Sequence, residues 1–263
     1  MNIGIITSTI YDEYAIVIMN KLLKNNLKSK LVISEKLISQ KNIKKAIKKV
    51  GYSGIIKFLK SRVLNKQKSI RKDQFLLKDY INENNIKDKI NNEIVEKIVK
   101  VNSINDKKAV EEVKNNNIDV LIYCGGGILR NGIINSPKIG IINAHLGKLP
   151  EYRGMNVTEW MIYNYEQPVI TTHFINKGID TGEILLRKQI NLSDCDNIIE
   201  LRAKALYNAT NLLVETIKGI YKNNINSISQ SSKEGKQYFS MTEPILRLTE
   251  KRLELMSDGK GYK

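Results

Sequence analysis

The chain has two histidines, His145 and His173, and both fall at or beside the ends of candidate strands, near its sole tryptophan. His145 follows the apolar run Ile139-Gly140-Ile141-Ile142 and the pair Asn143-Ala144. Alternate side chains of an extended strand share a face, so Asn143 and His145 project to one side. An amide N–H and an imidazole aimed at one point can stabilise an oxyanion, and the imidazole can also carry a proton. Standing alone, an Asn-x-His at the end of a buried strand equally suits a histidine that is only a satisfied polar group, so the neighbouring sequence has to decide.

Two stretches bear on that choice. Leu149-Pro150-Glu151-Tyr152-Arg153-Gly154 follows closely, and His173-Phe174 stands five residues ahead of Asp180-Thr181-Gly182. Asn-x-His, a Leu-Pro-x-Tyr-Arg-Gly loop and His-Phe-x-x-x-x-x-Asp-x-Gly, in that order, resemble the signature of the 10-formyltetrahydrofolate-dependent formyltransferases. The likeness is clear from about Ile118 to Leu192 and looser before it, where Val101-Asn102-Ser103-Ile104-Asn105 also resembles a family feature. It implies a catalytic trio of Asn143, His145 and Asp180, with His173 as a supporting, substrate-side residue. The chemistry agrees: amine attack on a formyl carbonyl creates a tetrahedral oxyanion, which the amide and imidazole can stabilise. A carboxylate such as Asp180 can orient the imidazole and assist the proton transfer. Nothing in this reaction calls for a metal or a covalent nucleophile.

Gly125-Gly126-Gly127, followed by Ile128-Leu129-Arg130, lies past a buried run ending at Cys124, where backbone can approach a ligand closely. It matches neither GxGxxG nor a P-loop, and a plain strand-to-helix turn would look the same. The resemblance implies that this loop, with the one before Asp180, holds the pterin of 10-formyltetrahydrofolate through Gly126, Gly127, Ile128, Leu129, Ile175, Gly178 and Ile179. Ser8 and Thr9, after the first strand, are placed to bind the acceptor or its phosphate at a helix N-terminus, or simply to cap that helix. By family analogy Tyr152 and Arg153 shape the acceptor pocket, although Arg153 could equally form a structural ion pair.

Several acceptors fit the resemblance: methionyl-tRNA, glycinamide ribonucleotide, a nucleotide-linked amino sugar, or water. A strand beginning at residue 3 disfavours the hydrolytic branch, which is expected to carry a preceding regulatory domain. The tRNA enzymes are expected to carry a β-rich domain where this chain reads as helix, and the ribonucleotide enzymes to lack a long insert. A nucleotide-linked (dTDP- or GDP-) amino deoxysugar of surface-polysaccharide synthesis is therefore the expected acceptor. The alternative of another class, a non-catalytic relative that binds folate or a polyanion, is disfavoured by the intact trio.

These residues need a frame to hold them. Ile3 to Thr7 reads as a strand and Tyr11 to Leu27 as a helix; Leu31-Val32-Ile33, Ile98 to Val101 and Ile118 to Tyr123 read as further strands, with a helix over Asp106 to Asn115. After Ile139 to Ile142 come a helix at Val157 to Tyr165, β-like runs at Pro168 to Phe174 and Glu183 to Ile190, and a long helix at Asn197 to Lys222. Such alternation predicts an α/β fold with a doubly wound, mostly parallel sheet, Rossmann-like in the resembling family, with ligands beyond the carboxyl ends of the strands. The expected organisation is a catalytic domain over 1–192, carrying a basic helical insert at about 41–83, and a C-terminal helical extension over 193–263, with one more short helix at Ile245 to Met256.

The formal charge of +16 is unevenly spread: residues 1–117 hold 25 Lys/Arg against 12 Asp/Glu, and residues 118–263 hold 18 against 15. Twelve Lys/Arg and no acid lie between Lys41 and Lys72. That segment reads as a solvated helical face or a weak membrane-surface contact, and no stable nucleic-acid partner is expected. Cys124 and Cys195 form no metal-ligand spacing and are expected to be structural thiols. With no long apolar run and no leader-like N-terminus, a cytoplasmic location is expected, and the helical tail would suit a homodimer.

Overall fold

Isoleucine and threonine make the first strand, β1 (Ile3–Thr7), which is buried along its whole length in the computed structural model. The structure describes residues 1–36, 72–125, 127–193, 195–231 and 233–257. The basic segment from Lys41 to Lys72, the helix expected there, and Gly126 lie outside those residues, save Lys72 itself.

Helix α1 (Glu13–Lys24) starts two residues later than its apolar periodicity suggests. Asp12 accepts the N–H groups of Tyr14 and Ala15 at 3.1 and 3.4 Å and so caps it. Ser8 and Thr9 therefore do not cap this helix. The N–H groups they were expected to share with a phosphate already face a carboxylate, which Thr7 Oγ1 also bonds at 2.7 Å.

The strands β2 (Ser29–Glu35), β3 (Val95–Val101), β4 (Val120–Tyr123), β5 (Gly140–His145), β7 (Val169–Phe174) and β8 (Ile184–Gln189) complete a seven-stranded sheet. Its order is β3-β2-β1-β4-β5-β7-β8. The first five positions are parallel and the last two strands antiparallel. This is the doubly wound, mostly parallel architecture expected from the alternation of elements.

Alternation along the strands gives the sheet two dry faces. Ile3, Ile5, Val32, Val120, Ile122 and Ile142 pack with α1, α2 (Phe75–Glu83) and α6 (Ile198–Tyr221). Ile6, Leu31, Ile33, Leu121 and Ile141 pack on the opposite side with α3 (Lys107–Asn115) and α4 (Asn131–Ile134).

Residues after 192 join the same body. Ala205, Ala209 and Leu212 of α6 pack on Ile170 and Ile190, and Thr216 bonds Thr172 at 2.8 Å beneath them. Lys21 of α1 is buried against α6: its Nζ reaches Thr210 Oγ1 at 2.7 Å and Asn211 Oδ1 at 2.6 Å and lies 3.8 Å from the centre of the Tyr207 ring. Burial, with Lys24 nearby, pushes its pKa down to about 8. Helix α7 (Glu243–Ser257) then packs Leu253 and Met256 on Ile162 of α5 (Val157–Tyr163) and Leu201.

The sequence reading missed a second, two-stranded sheet, in which β6 (Tyr152–Gly154) pairs in parallel with β9 (Lys236–Tyr238). Three-residue strands show too few alternations to register as a period. Among the described residues no helix is long and apolar enough to cross a membrane.

Leu213 sits with no exposed surface where α6 meets the sheet. Leu213→Ala is expected to lower unfolding stability by about 2–5 kcal/mol in a denaturant titration. A loss under about 1 kcal/mol would contradict this account of the core.

Candidate active site

Strand β5 positions the first two candidate residues. It pairs with β4 only through Ile142; from there on it pairs with β7 alone, antiparallel, with Asn143 opposite His173 and His145 opposite Thr171. The carboxyl end of β5 is thus free of β4, and Asn143 and His145 line a cavity of about 310 Å³ there.

His173, buried at 2 % exposure, is fixed by its partners. Its Nδ1 lies 2.8 Å from the Phe174 carbonyl, which can only accept, so Nδ1 carries the proton. Nε2 is then a lone pair, and it takes an N–H from the Asn143 amide at 3.3 Å. Burial, aided by His145, pushes the His173 pKa down to about 4, against an opposing pull from Asp180. The ring is neutral at pH 7.

His145 is also buried, and its Nε2 donates to the Tyr152 carbonyl at 2.7 Å. Its Nδ1 stands 3.5 Å from Oδ2 of Asp180. The nitrogen whose protonation can change is therefore Nδ1, and a proton held there faces a carboxylate. The two histidine rings meet edge to face with centroids 6.2 Å apart.

Asp180 comes from the loop between β7 and β8, with φ +53 in the left-handed region that aspartate tolerates. Oδ2 also accepts the Gly154 N–H at 3.0 Å, and Oδ1 lies 3.7 Å from His173 Nε2. Gln230 donates from its amide to the carbonyls of Asp180, at 3.1 Å, and Gly182, tying this loop to the segment after α6. Gly154 has φ +100, and a Cβ there would run into the Tyr238 carbonyl, so only glycine fits where β6 meets β9.

The predicted trio and His173 are thus brought together. Tyr152 is not placed as expected: its ring is 3 % exposed and stacks on Tyr238 at 4.9 Å, and its hydroxyl bonds Glu166 and Asn164. Its contribution to the site is its backbone carbonyl. Arg153 is likewise buried, at 8 % exposure. Ser8 is exposed in the turn after β1.

The loops expected to hold the pterin lie on the α3/α4 side of the sheet, where Leu129 and Ile175 join the core. Asn105 pins this side, donating to the Ile128 carbonyl at 3.0 Å and accepting the Arg130 N–H at 2.7 Å. Gly127 has φ +93, and its carbonyl takes the Tyr123 hydroxyl at 2.7 Å. Ile128 and Ile179 are 87 % and 51 % exposed, apolar side chains left in the open beside the glycine and aspartate loops. Gly178 is occupied locally, its N–H bonding Asn176 at 3.0 Å.

Reasoning from sequence quoted Gly154 and Asn105 only as members of motifs, with no role, and missed Gln230 together with the carbonyls of Tyr152 and Phe174. Backbone groups leave no mark in side-chain patterns, and Gln230 lies 50 residues from the aspartate whose loop it holds. Burial pushes the Cys124 thiol pKa well up, aided by Asp12, which makes it a poor nucleophile.

The family description formyl transferase matches residues 17–217, more than half of the chain. The chain belongs to the formyl transferase family. Among curated relatives it is 35 % identical over 121 residues to the methionyl-tRNA formyltransferase of Clostridioides difficile (strain 630), covering 45 % of this chain and 39 % of that one. With that of Clostridium tetani it shares 35 % over 131 residues, 49 % and 42 %. The matched region thus spans about two fifths of these relatives' length. Solved structures share the fold at low identity. A sugar N-formyltransferase from a Shewanella species has TM-score 0.57 and 14 % identity, covering 96 % of this chain and 87 % of that one. Glycinamide ribonucleotide transformylase 1 of Symbiobacterium toebii has TM-score 0.55 and 12 % identity, covering 87 % and 94 %. The Helicobacter canadensis N-formyltransferase, solved with folinic acid and dTDP-3-aminofucose, has TM-score 0.53 and 17 % identity, covering 98 % and 82 %.

The neutrality of His173 has a measurable consequence. Below pH 6.5 the unfolded chain protonates this ring, whereas the folded chain does so only near pH 4, so stability falls as pH drops through that window. His173→Asn removes this component, and the stability gap between wild type and variant is expected to narrow from pH 6.5 to 4 in denaturant titrations. A gap that stays constant with pH would overturn the assignment.

Proposed function

We propose that this chain transfers the formyl group of 10-formyltetrahydrofolate to a primary amine borne by a nucleotide-linked amino sugar. The observation that carries the reaction is that Asn143 and His145 line one cavity while Asp180 stands 3.5 Å behind His145 Nδ1. Family membership supports formyl transfer, and the open apolar shelf of Ile128 and Ile179 supports a folate donor on the far side of the trio.

In this reading the Asn143 amide, held by neutral His173 with its second N–H free, donates to the oxyanion that amine attack creates, a contribution worth a few kcal/mol. His145 cannot rotate away while Nε2 is tied to Tyr152, so Nδ1 and Asp180 together take the proton the amine sheds and return it to the departing nitrogen. Residues 1–192 carry this chemistry, and the extension beyond them braces Asp180 through Gln230.

The sugar acceptor is supported by the cavity. Asp73, Asn156, Thr158, Glu159 and Arg202 line it with groups that suit hydroxyls better than a thioether. Methionyl-tRNA is the second reading, favoured by the names of the curated relatives that match about half of this chain.

Release of tetrahydrofolate from 10-formyltetrahydrofolate, followed with dTDP-3-aminofucose and other nucleotide-linked amino sugars, is the direct test. Turnover with a sugar is expected, and formylation of methionyl-tRNA alone would replace the acceptor. His145→Ala and Asp180→Asn are each expected to reduce turnover by on the order of a thousandfold or more while tetrahydrofolate still binds. Rates within tenfold of wild type in either variant would sink the mechanism.

A further inference from the structure

The cavity lined by Asn143 and His145 also carries a carboxylate for which the chemistry above has no use. Glu159, in the first turn of α5, is 3 % exposed. Three donors converge on one of its oxygens: Oε1 takes Asn156 Nδ2 at 2.8 Å, Arg202 Nε at 2.6 Å and Arg202 Nη2 at 2.5 Å. The other oxygen, Oε2, has no hydrogen-bond partner among the described residues, and Glu159 lines the cavity with Asn143 and His145. Oε2 is not sealed in the protein but opens onto the cavity, where a substrate donor can replace water while Oε1 stays held.

We infer that Glu159 Oε2 is an acceptor-binding group: it receives a hydroxyl or N–H of the substrate next to the reacting amine and so turns that amine toward Asn143 and His145. This rests on the reading of the cavity as the acceptor site. Arg202 neutralises Glu159 through the crowded oxygen, so Oε2 can accept without leaving a bare charge. The charge balance also says which part of the substrate enters. Among the described lining residues Asp73 and Glu159 outweigh Arg202, a balance that favours an uncharged, donor-rich ring beside them over an anionic diphosphate. Asn156 holds φ +51 at the N-terminus of α5, and its amide fixes the side of Glu159 that faces away from the substrate.

The test is steady-state kinetics of Glu159→Gln with 10-formyltetrahydrofolate and the acceptor on which wild type is most active. Arg202 and Asn156 keep the amide oxygen of glutamine, which places NH₂ where the substrate expects an acceptor. Acceptor kcat/KM is expected to fall about ten- to hundredfold, with the KM for 10-formyltetrahydrofolate within twofold of wild type. Acceptor kcat/KM within twofold of wild type would overturn the inference. If the variant does not fold, wild type supplies the same comparison: a sugar acceptor lacking the hydroxyl beside its amine should lose a similar factor, and an equal rate would overturn the inference. Wild type active on methionyl-tRNA and on no sugar overturns the acceptor reading alone, and Glu159→Gln is then judged by the same kinetics on that substrate. Wild type inert toward every acceptor sinks both.

Discussion

Where β5 leaves β4 after Ile142 and continues against β7 alone, the sheet changes from parallel to antiparallel pairing, and the candidate site depends on that change. A parallel neighbour would cover the end of β5 with a crossover. The antiparallel partner instead brings His173 directly beside Asn143. Once there, the histidine is dry, and dryness decides its chemistry. A protonated His173 would have donors at both nitrogens and would repel the Asn143 N–H; the neutral ring accepts it, which fixes the direction of the amide.

The same economy runs through the remaining contacts. Backbone groups, not side chains, hold His145 and half of Asp180: the Tyr152 carbonyl and the Gly154 N–H, both on β6. Three residues of strand have little stability of their own. β6 is extended because β9 pairs with it and because Tyr152, Tyr238 and Trp160 stack around the pair. The stretch after α6 therefore belongs to the site mechanically, through β9 on one side and Gln230 on the other.

How far the sequence reveals this follows from the range of each interaction. The parallel strands were legible because Ile3 to Thr7 or Ile118 to Tyr123 are apolar on both faces, a pattern local to each strand. Asn143, His145 and Asp180 were legible because their neighbours repeat a family signature. Tyr152 was read as a pocket residue because its position in the loop was visible and its direction was not; stacking on a tyrosine 86 positions away turns the ring inward. Asp12, not Ser8 or Thr9, caps α1, because a carboxylate competes well for helix N–H groups and stands at the right distance from the first turn.

Sheet polarity separates the two sides of the trio. On the α3/α4 side the loops present exposed isoleucines, Ile128 and Ile179. On the α6 side the cavity is polar: Asp73 stands just before α2, Glu159 on α5 and Arg202 on α6. That helix is held at a fixed height by Lys21, whose ammonium is enclosed by Thr210, Asn211 and the Tyr207 ring about two turns beyond Arg202. Lysine tolerates this burial only because both oxygens and the ring face replace water, and its lowered pKa records what desolvation still costs. The Lys21 contacts thus tie α1 to the same helix that carries Arg202 to Glu159, so the packing of the helices and the polar lining of the cavity share one element.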